Sequence, residues 1–202
     1  MTLLTMAQNI AVNVGVQPPT AVMSDPDADD RKFIEYTQAA ANELARRVDW
    51  SALRTTQTIT GTGSNDNFSL GNTFSRLTSG MAVSVGGAAI RGSLSPDEWN
   101  SLTPVVGTPR FFRLLGKSIS FYPYPTLGLA ISVSSQSESW CSAGGKEWTA
   151  DTDTALVPEE IVAKGAIWRW RRQLGADFQD YLAEFEAALA DHSKFDEGSR
   201  LP

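Results

Sequence analysis

The periodicity of apolar residues changes twice along the chain, and this change limits the fold more than any other feature. Residues 1–52 and 151–195 show a helical repeat, whereas residues 53–150 show short runs of Thr, Val, Ile and Phe broken by Gly, Ser and Asn. The pattern predicts an α+β fold, with a helical bundle built from N- and C-terminal helices and an inserted antiparallel β subdomain. Residues 196–202 lack periodicity and predict a flexible C-terminal arm.

Two helices are predicted before residue 53. The first lies between Thr2, a suitable N-cap, and Gly15, a residue typical of the position past a helix end. The second is predicted to begin with Asp25 as N-cap and Pro26 at the first helical position. Its apolar stripe consists of Phe33, Thr37, Ala40, Ala41, Leu44 and Val48. The acidic cluster at its start lacks the glycine and distal glutamate of a calcium loop, so helix-start chemistry is favoured over a cation site.

Two hairpins and one short helix are predicted in the middle of the chain. Gly86-Gly87 and Gly116-Lys117 each join two β-type runs, and residues 129–134 predict a further strand. A capping box formed by Ser95 and Glu98 predicts a short helix near residues 95–102.

Two more helices are predicted near the C-terminus. Pro158 precedes the first, and Gly175 separates it from the second. The second helix carries an apolar stripe with two flanking residues: Phe178, Leu182, Phe185 and Leu189, with Tyr181 and Ala188 beside them.

The composition excludes several classes of function. The net charge of -6 argues against a general duplex-DNA binder, because phosphate neutralisation needs a basic surface. No apolar run reaches the length of a membrane span, and the start of the chain does not resemble a signal peptide, so no membrane partner and synthesis in the cytoplasm are expected. One cysteine, Cys141, allows no internal disulfide, and one histidine, His192, allows no His-rich metal site.

No catalytic, cofactor-binding or metal-binding residue is predicted. His192 lacks a neighbouring nucleophile or carboxylate signature, so a helix-terminal or interfacial role is favoured over a general base. Cys141 has no evident cationic partner and is predicted to be inert. The acids of residues 151–153 and 159–160 form the best carboxylate group, but their spacing favours a lead into a helix start over a metal site. Gly61-Thr62-Gly63 predicts a turn.

One basic and aromatic run stands out: Trp168, Arg169, Trp170, Arg171 and Arg172. Such a run can bind single-stranded nucleic acid by stacking and charge. Consecutive residues on a helix point about 100° apart, however, so the run forms no continuous platform. Buried tryptophans, with arginines that pair with acids on a neighbouring helix or subunit, are the favoured interpretation.

Several segments, in this order, resemble the head-tail connector (adaptor) proteins of tailed bacteriophages. They are residues 1–4, 43–53, 94–99, 119–125 and 151–160, then Gly165, residues 168–172 and residues 175–177. The resemblance spans nearly the whole chain, and residues 137–146 match no part of the pattern.

The resemblance implies a structural protein of the virion neck, made in the host bacterial cytoplasm, and not an enzyme. Such adaptors form a ring beneath the portal, of about twelve copies, and extend the DNA channel toward the tail. The implied partners are the portal ring, copies of the chain itself and a tail or nozzle protein, with genome DNA passing through without specific binding during ejection. Carried onto this chain, residues 195–202 become the candidate portal-binding arm, with Phe195, Arg200, Leu201 and Pro202 as its candidate contacts.

Two other functions remain open from the sequence. One is another virion ring or a tail-completion protein on the tail side. The other, less favoured because no paired carboxylates or His-based metal site stand at a convincing place, is a virion-associated hydrolase.

Overall fold

Helices occupy both ends of the chain in the computed structural model, which describes residues 1–24 and 26–197. Helix α1 (Leu3–Val14) begins at Thr2, whose hydroxyl accepts the Thr5 N–H at 3.3 Å, and it ends at Gly15 with a left-handed φ of 77°. Both caps were predicted from the sequence and are confirmed.

Helix α2 (Ala28–Arg47) begins later than predicted. Asp27, and not Asp25, is its N-cap, because the Asp27 carboxylate accepts the N–H groups of Asp29 and Asp30 at 2.7 and 2.9 Å. The Asp30 side chain accepts the Asp27 N–H in return, which completes a capping box and leaves Pro26 outside the helix. Asp25 lies outside the described residues. The predicted stripe of α2 is buried as expected.

Helices α4 (Glu159–Gln173) and α5 (Gln179–Glu197) follow in the C-terminal third. Helix α4 packs against α1, α2 and α5, which explains why it is buried around much of its circumference. Helix α5 extends past the predicted end at Phe195. Its last turn includes Asp196, whose carboxylate accepts the Ser51 N–H and hydroxyl at 2.6 and 2.5 Å.

The middle of the chain forms three sheets. A five-stranded sheet has the order β1 (Arg54–Thr60), β10 (Ala130–Ser137), β4 (Val83–Val85) and β5 (Ala88–Ala89), with β3 (Phe74–Leu77) also paired to β10. A three-stranded sheet has the order β2 (Asn67–Ser69), β8 (Ser118–Tyr122) and β7 (Phe111–Leu115). The third pairs β6 (Val106–Gly107) with β9 (Tyr124–Pro125) in parallel, and the two larger sheets are antiparallel.

Both predicted hairpins and the short helix are confirmed. Gly86 and Gly87 have φ values of 55° and 82°, the left-handed pair that a tight hairpin turn requires. Helix α3 (Pro96–Asn100) carries the predicted capping box between Ser95 and Glu98. The α+β fold class is therefore confirmed by the structure.

The chain divides into two compact units, each with its own core. The helical unit comprises Met1–Leu53 and Glu138–Pro202, and the β unit comprises Arg54–Ser137. The predicted boundary at residue 150 therefore differs from the observed one. The physical reason is that Trp140 and Trp148 are buried in the helical core, with ring centroids 4.7 Å apart.

Candidate functional site

The tryptophan and arginine run predicted as a contact site lies on α4, in the helical unit. Trp170 is buried, and its ring centroid lies 4.7 Å from that of Phe33 and 6.0 Å from that of Tyr36. The Lys32 ammonium lies 5.1 Å from the same ring. Trp168 is half-buried against Phe178 and Phe185. Neither indole presents a free stacking surface.

The arginines of this run bind within the same unit. Arg169 lies over the Trp168 ring at 4.3 Å, donates to the Gly165 carbonyl at 2.7 Å and forms an ion pair with Glu43. Burial lowers the pKa of the Arg169 guanidinium, and the charge of Glu43 opposes this shift. Arg171 lies over the Tyr181 ring at 4.0 Å and donates to the Asn13 carbonyl at 3.0 Å. Arg172 is exposed.

Glu43 also belongs to a charge network that joins three helices. Arg47 of α2 donates to Glu43 at 3.0 Å and, through both terminal nitrogens, to the Glu186 carboxylate of α5 at 2.7 and 2.6 Å. Hydrogen bonding to Arg47 lowers the pKa of the Glu186 carboxyl. The network therefore runs from Arg169 through Glu43 and Arg47 to Glu186, and it fixes α4, α2 and α5 relative to one another.

The acids before and at the start of α4 are structural. The predicted lead into a helix start is confirmed for Glu159 and Glu160, which lie in the first turn of α4, but not for Asp151 and Asp153. Asp151 does not lead into a helix start; its carboxylate accepts the N–H groups of Val22 and Met23, at 3.1 and 2.9 Å. Asp153 accepts the N–H and hydroxyl of Thr149 at 2.7 and 2.8 Å. Burial alone raises the pKa of Asp153, but these hydrogen bonds outweigh it and the net shift is downward. Among the described residues, no group of three or more acids, histidines and cysteines could hold a metal ion.

His192 and Cys141 lie in separate environments. His192 is exposed on α5 and lines a concavity of about 470 Å³, together with Trp50, Asp196 and the loop of residues 155–159. Cys141 is buried, and burial raises the pKa of its thiol, so the thiolate is disfavoured. The concavity brings no nucleophile into hydrogen-bond contact with His192 among the residues that the structure describes.

Of the candidate arm, Phe195 lies within α5, while Arg200, Leu201 and Pro202 lie outside the described residues. The adjoining helix presents an exposed acidic surface, which we call the α5 outer face. It consists of Asp180, Ala183, Glu184, Ala187, Asp191 and Lys194. These positions fall on one side of a helix, opposite the buried Phe185 and Leu189.

One cluster in the β unit was missed by the sequence analysis. Trp99 of α3, Arg113 of β7, Tyr122 of β8 and Tyr124 of β9 line a groove of about 250 Å³. The capping box predicted α3 correctly, but nothing local signals that its tryptophan meets strands that follow it in the chain. The part that the sequence did supply is the hairpin, which places Arg113 and Tyr122 on two paired strands.

Comparison with known proteins identifies one family. None of the described helices is long and apolar enough to cross a membrane. No curated protein matches the sequence. The SU10 adaptor protein family matches residues 1–201, and this family consists of structural adaptors and not of a known enzyme class. Because the match covers nearly the whole chain, the chain belongs to the SU10 adaptor protein family of phage adaptors, whose members interact with other virion proteins.

Proposed function

We propose that this adaptor forms a ring beneath the portal, joins the DNA-filled head to the tail and extends the DNA channel. The family match over residues 1–201 is the observation that carries this proposal. The ring at the virion neck is a finer role than the family name states, and the surfaces of the helical unit support it in two ways.

First, the helical unit offers two different charged surfaces for contacts between neighbouring copies. The α5 outer face carries three exposed acids and one exposed lysine, whereas Arg31, Arg46 and Arg172 are exposed elsewhere on the unit. A closed ring requires such a heterologous contact, in which one face of a subunit meets a different face of the next. The alanines Ala183 and Ala187 allow a neighbouring helix to approach closely.

Second, the charge balance suits a conduit for DNA. The net charge of -6 disfavours adhesion to phosphates, so genome DNA would slide through the ring without specific binding. Three cations in or beside the basic run, Lys32, Arg169 and Arg171, are occupied by rings, acids or carbonyls, so the run offers no free basic stripe to DNA.

The candidate arm is proposed to contact the portal. Its first residues close helix α5, where the Asp196 carboxylate is bonded to Ser51, so the start of the arm is fixed to the rest of the helical unit. Arg200, Leu201 and Pro202 offer one cation and two apolar side chains for a portal surface. Many copies binding together would strengthen an individually weak contact.

The test is the mass of the purified chain by light scattering, alone and after mixing with the portal ring of the same phage. The expected result is a chain that associates weakly alone and adds to the portal in one fixed, ring-like ratio. An absence of co-migration at micromolar concentration would reject the portal-side position and favour a ring on the tail side.

Two variants separate the proposed contacts. A chain ending at Glu197 is expected to lose portal binding while keeping its helical content, because it removes residues 198–202, with three of the four candidate contacts, and keeps all of α5. Ala187→Arg on the α5 outer face is expected to block addition of neighbouring copies by steric bulk at the contact. Ala143→Arg, at an exposed loop position, is its control for charge and should assemble normally. Equal assembly of both alanine variants would exclude the α5 outer face as the contact.

A further inference from the structure

We infer that the groove lined by Trp99, Arg113, Tyr122 and Tyr124 binds an extended segment of another virion protein that presents a carboxylate beside an apolar or prolyl residue. This surface belongs to the β unit, whereas the contacts proposed above belong to the helical unit. The inference relies on the proposed function only in taking the source of the segment to be the virion.

The groove has a fixed aromatic wall. Helix α3 is held by its capping box and buries none of its own residues, so Trp99 is presented at the surface of the unit. The Tyr122 ring meets Trp99 edge-on, with centroids 6.4 Å apart. The Tyr122 hydroxyl donates to the Thr103 carbonyl at 3.0 Å, which fixes the orientation of the ring. The wall is therefore formed before any partner binds, which lowers the entropy cost of binding.

Arg113 supplies a cation that is held over a ring and has unused N–H donors. Its guanidinium carbon lies 4.6 Å from the centre of the Trp99 ring, and its Nε is buried without a hydrogen-bond partner. No ion pair or side-chain hydrogen bond to Arg113 occurs within the described part of the chain. Glu98, which precedes Trp99, does not pair with Arg113. Its carboxylate accepts the Ser95 N–H and hydroxyl at 2.8 and 2.7 Å instead. A half-buried guanidinium in this state is suited to an external anion.

The surroundings favour a protein carboxylate over a DNA phosphate. DNA is held by several cations in a row, whereas Arg113 is the one cation among the described residues that line this groove. Leu102 and Pro104 add apolar lining, and Val105 and Val106, which follow Pro104 in the chain, are 48% and 49% exposed. Trp, Tyr and Arg are also the residue types that dominate the binding energy of protein interfaces. A groove of about 250 Å³ has room for a few side chains of an extended segment.

The test uses the full chain and an array of overlapping peptides, each about 15 residues long, from the structural proteins encoded by the same phage. Bound peptides are expected to share an acidic residue next to proline or another apolar residue. Replacing that acid with its amide in the strongest peptide is expected to weaken binding about tenfold or more in solution. Absence of any bound peptide, or equal binding of the amide form, overturns the proposal.

Matched variants of the chain locate the site. Arg113→Gln is expected to weaken binding of the strongest peptide about 10- to 100-fold, whereas Arg110→Gln, the same charge change at an exposed neighbour, should leave it unchanged. Asn100→Glu places a competing carboxylate on the exposed rim without touching the core, and it should also weaken binding, with Asn100→Gln as its control. Equal affinity of all four variants, or displacement of the peptide by a short DNA duplex at physiological salt, rejects a protein-binding groove.

Because none of these measurements involves the portal, loss of this proposal leaves the ring proposal standing, and the reverse also holds.

Discussion

In the helical unit, the aromatic rings that meet cations are packed among other side chains, whereas in the β unit Trp99 and Arg113 lie in a surface groove. The cations of the helical unit have further partners. Lys32 binds Asp29, and Arg169 binds Glu43 and the Gly165 carbonyl. The Arg113 guanidinium, by contrast, has only the Trp99 ring as a partner among the described residues. The geometry of a cation over a ring is similar in both units, so the presence or absence of a further polar partner distinguishes the structural pairs from the proposed binding groove.

The units also differ in how far apart their packing partners lie along the chain. In the helical unit, α1 and α2 pack against α4, although the whole β unit lies between them in the sequence. In the β unit, all strands come from one continuous segment, with tight glycine turns joining its hairpins. Large buried side chains therefore hold distant segments together in the first unit, and backbone geometry carries more of the fold in the second. The predictions below test this contrast.

The largest effect is expected for Trp170→Ala. The indole is 1% exposed and packs against the Phe33 ring, so its removal leaves a large cavity between α4 and α2. We expect the free energy of unfolding to fall by about 3–5 kcal/mol. Urea unfolding followed by far-UV circular dichroism measures it. Trp99→Ala is the control, expected to change stability by about 1 kcal/mol or less because this ring lies at the surface. Equal losses for the two variants would remove the contrast between the units.

Gly61→Ala tests the backbone packing of the β unit. A methyl group at this position would lie 2.3 Å from the Thr126 carbonyl oxygen and 2.7 Å from the Pro125 Cβ. Because the obstacle includes backbone, the strands must shift, and we expect a loss of about 2–3 kcal/mol in thermal or urea unfolding. Gly107→Ala is the control. Its added methyl would meet Pro123 at an ordinary 3.4 Å, and its stability should stay within about 0.5 kcal/mol of the unchanged chain.

Thr37→Val tests a buried hydrogen bond in the helical unit. The Trp148 indole N–H donates to the Thr37 hydroxyl at 2.9 Å, and that hydroxyl donates to the Phe33 carbonyl at 2.6 Å. Valine keeps the shape but leaves the indole N–H without an acceptor, so we expect a loss of about 1–2 kcal/mol in urea unfolding. Thr37→Ser keeps the hydroxyl and should retain the protected indole proton in hydrogen exchange. Rapid exchange in both variants would mean that this hydrogen bond does not protect the site.

Local signals in the sequence predicted the elements that close over a few residues. The Gly86-Gly87 turn and the Ser95–Glu98 capping box involve neighbours only, so the sequence alone contains all the groups that matter. The start of α2 was placed at Asp25 because aspartate before proline is a good helix start. The capping box between Asp27 and Asp30 is the stronger signal, and it was present in the sequence.

Features that depend on distant partners were not predictable in this way. Asp151 binds the backbone of Val22 and Met23, which lie more than a hundred residues earlier in the chain. Trp148 finds its acceptor on α2, and so residues 138–150 join the helical unit instead of the β unit. The groove at Trp99 likewise needs three elements to come together. In each case, side-chain chemistry was visible in the sequence and the identity of the partner was not.

The smallest effect is expected for Glu186→Gln, at the exposed end of the charge network. Its pair with Arg47 has good two-point geometry, but the side chains are 45% and 39% exposed, so water and salt screen it. We expect a loss of about 0.5 kcal/mol near pH 7, disappearing at about 1 M salt. Hydrogen bonding to Arg47 lowers the pKa of Glu186 in the folded chain, so this contribution is present at neutral pH and is lost as the pH falls through that lowered pKa. Glu43→Gln is the comparison, because it removes the negative charge that faces the half-buried Arg169, leaving the Gly165 carbonyl and the Trp168 ring as its other partners, and it should cost about 1–2 kcal/mol. Urea unfolding at two pH values and two salt concentrations separates the two variants. If Glu186→Gln lost as much stability as Glu43→Gln, and the loss were equally resistant to salt, the exposed and the half-buried ends of the network would contribute alike.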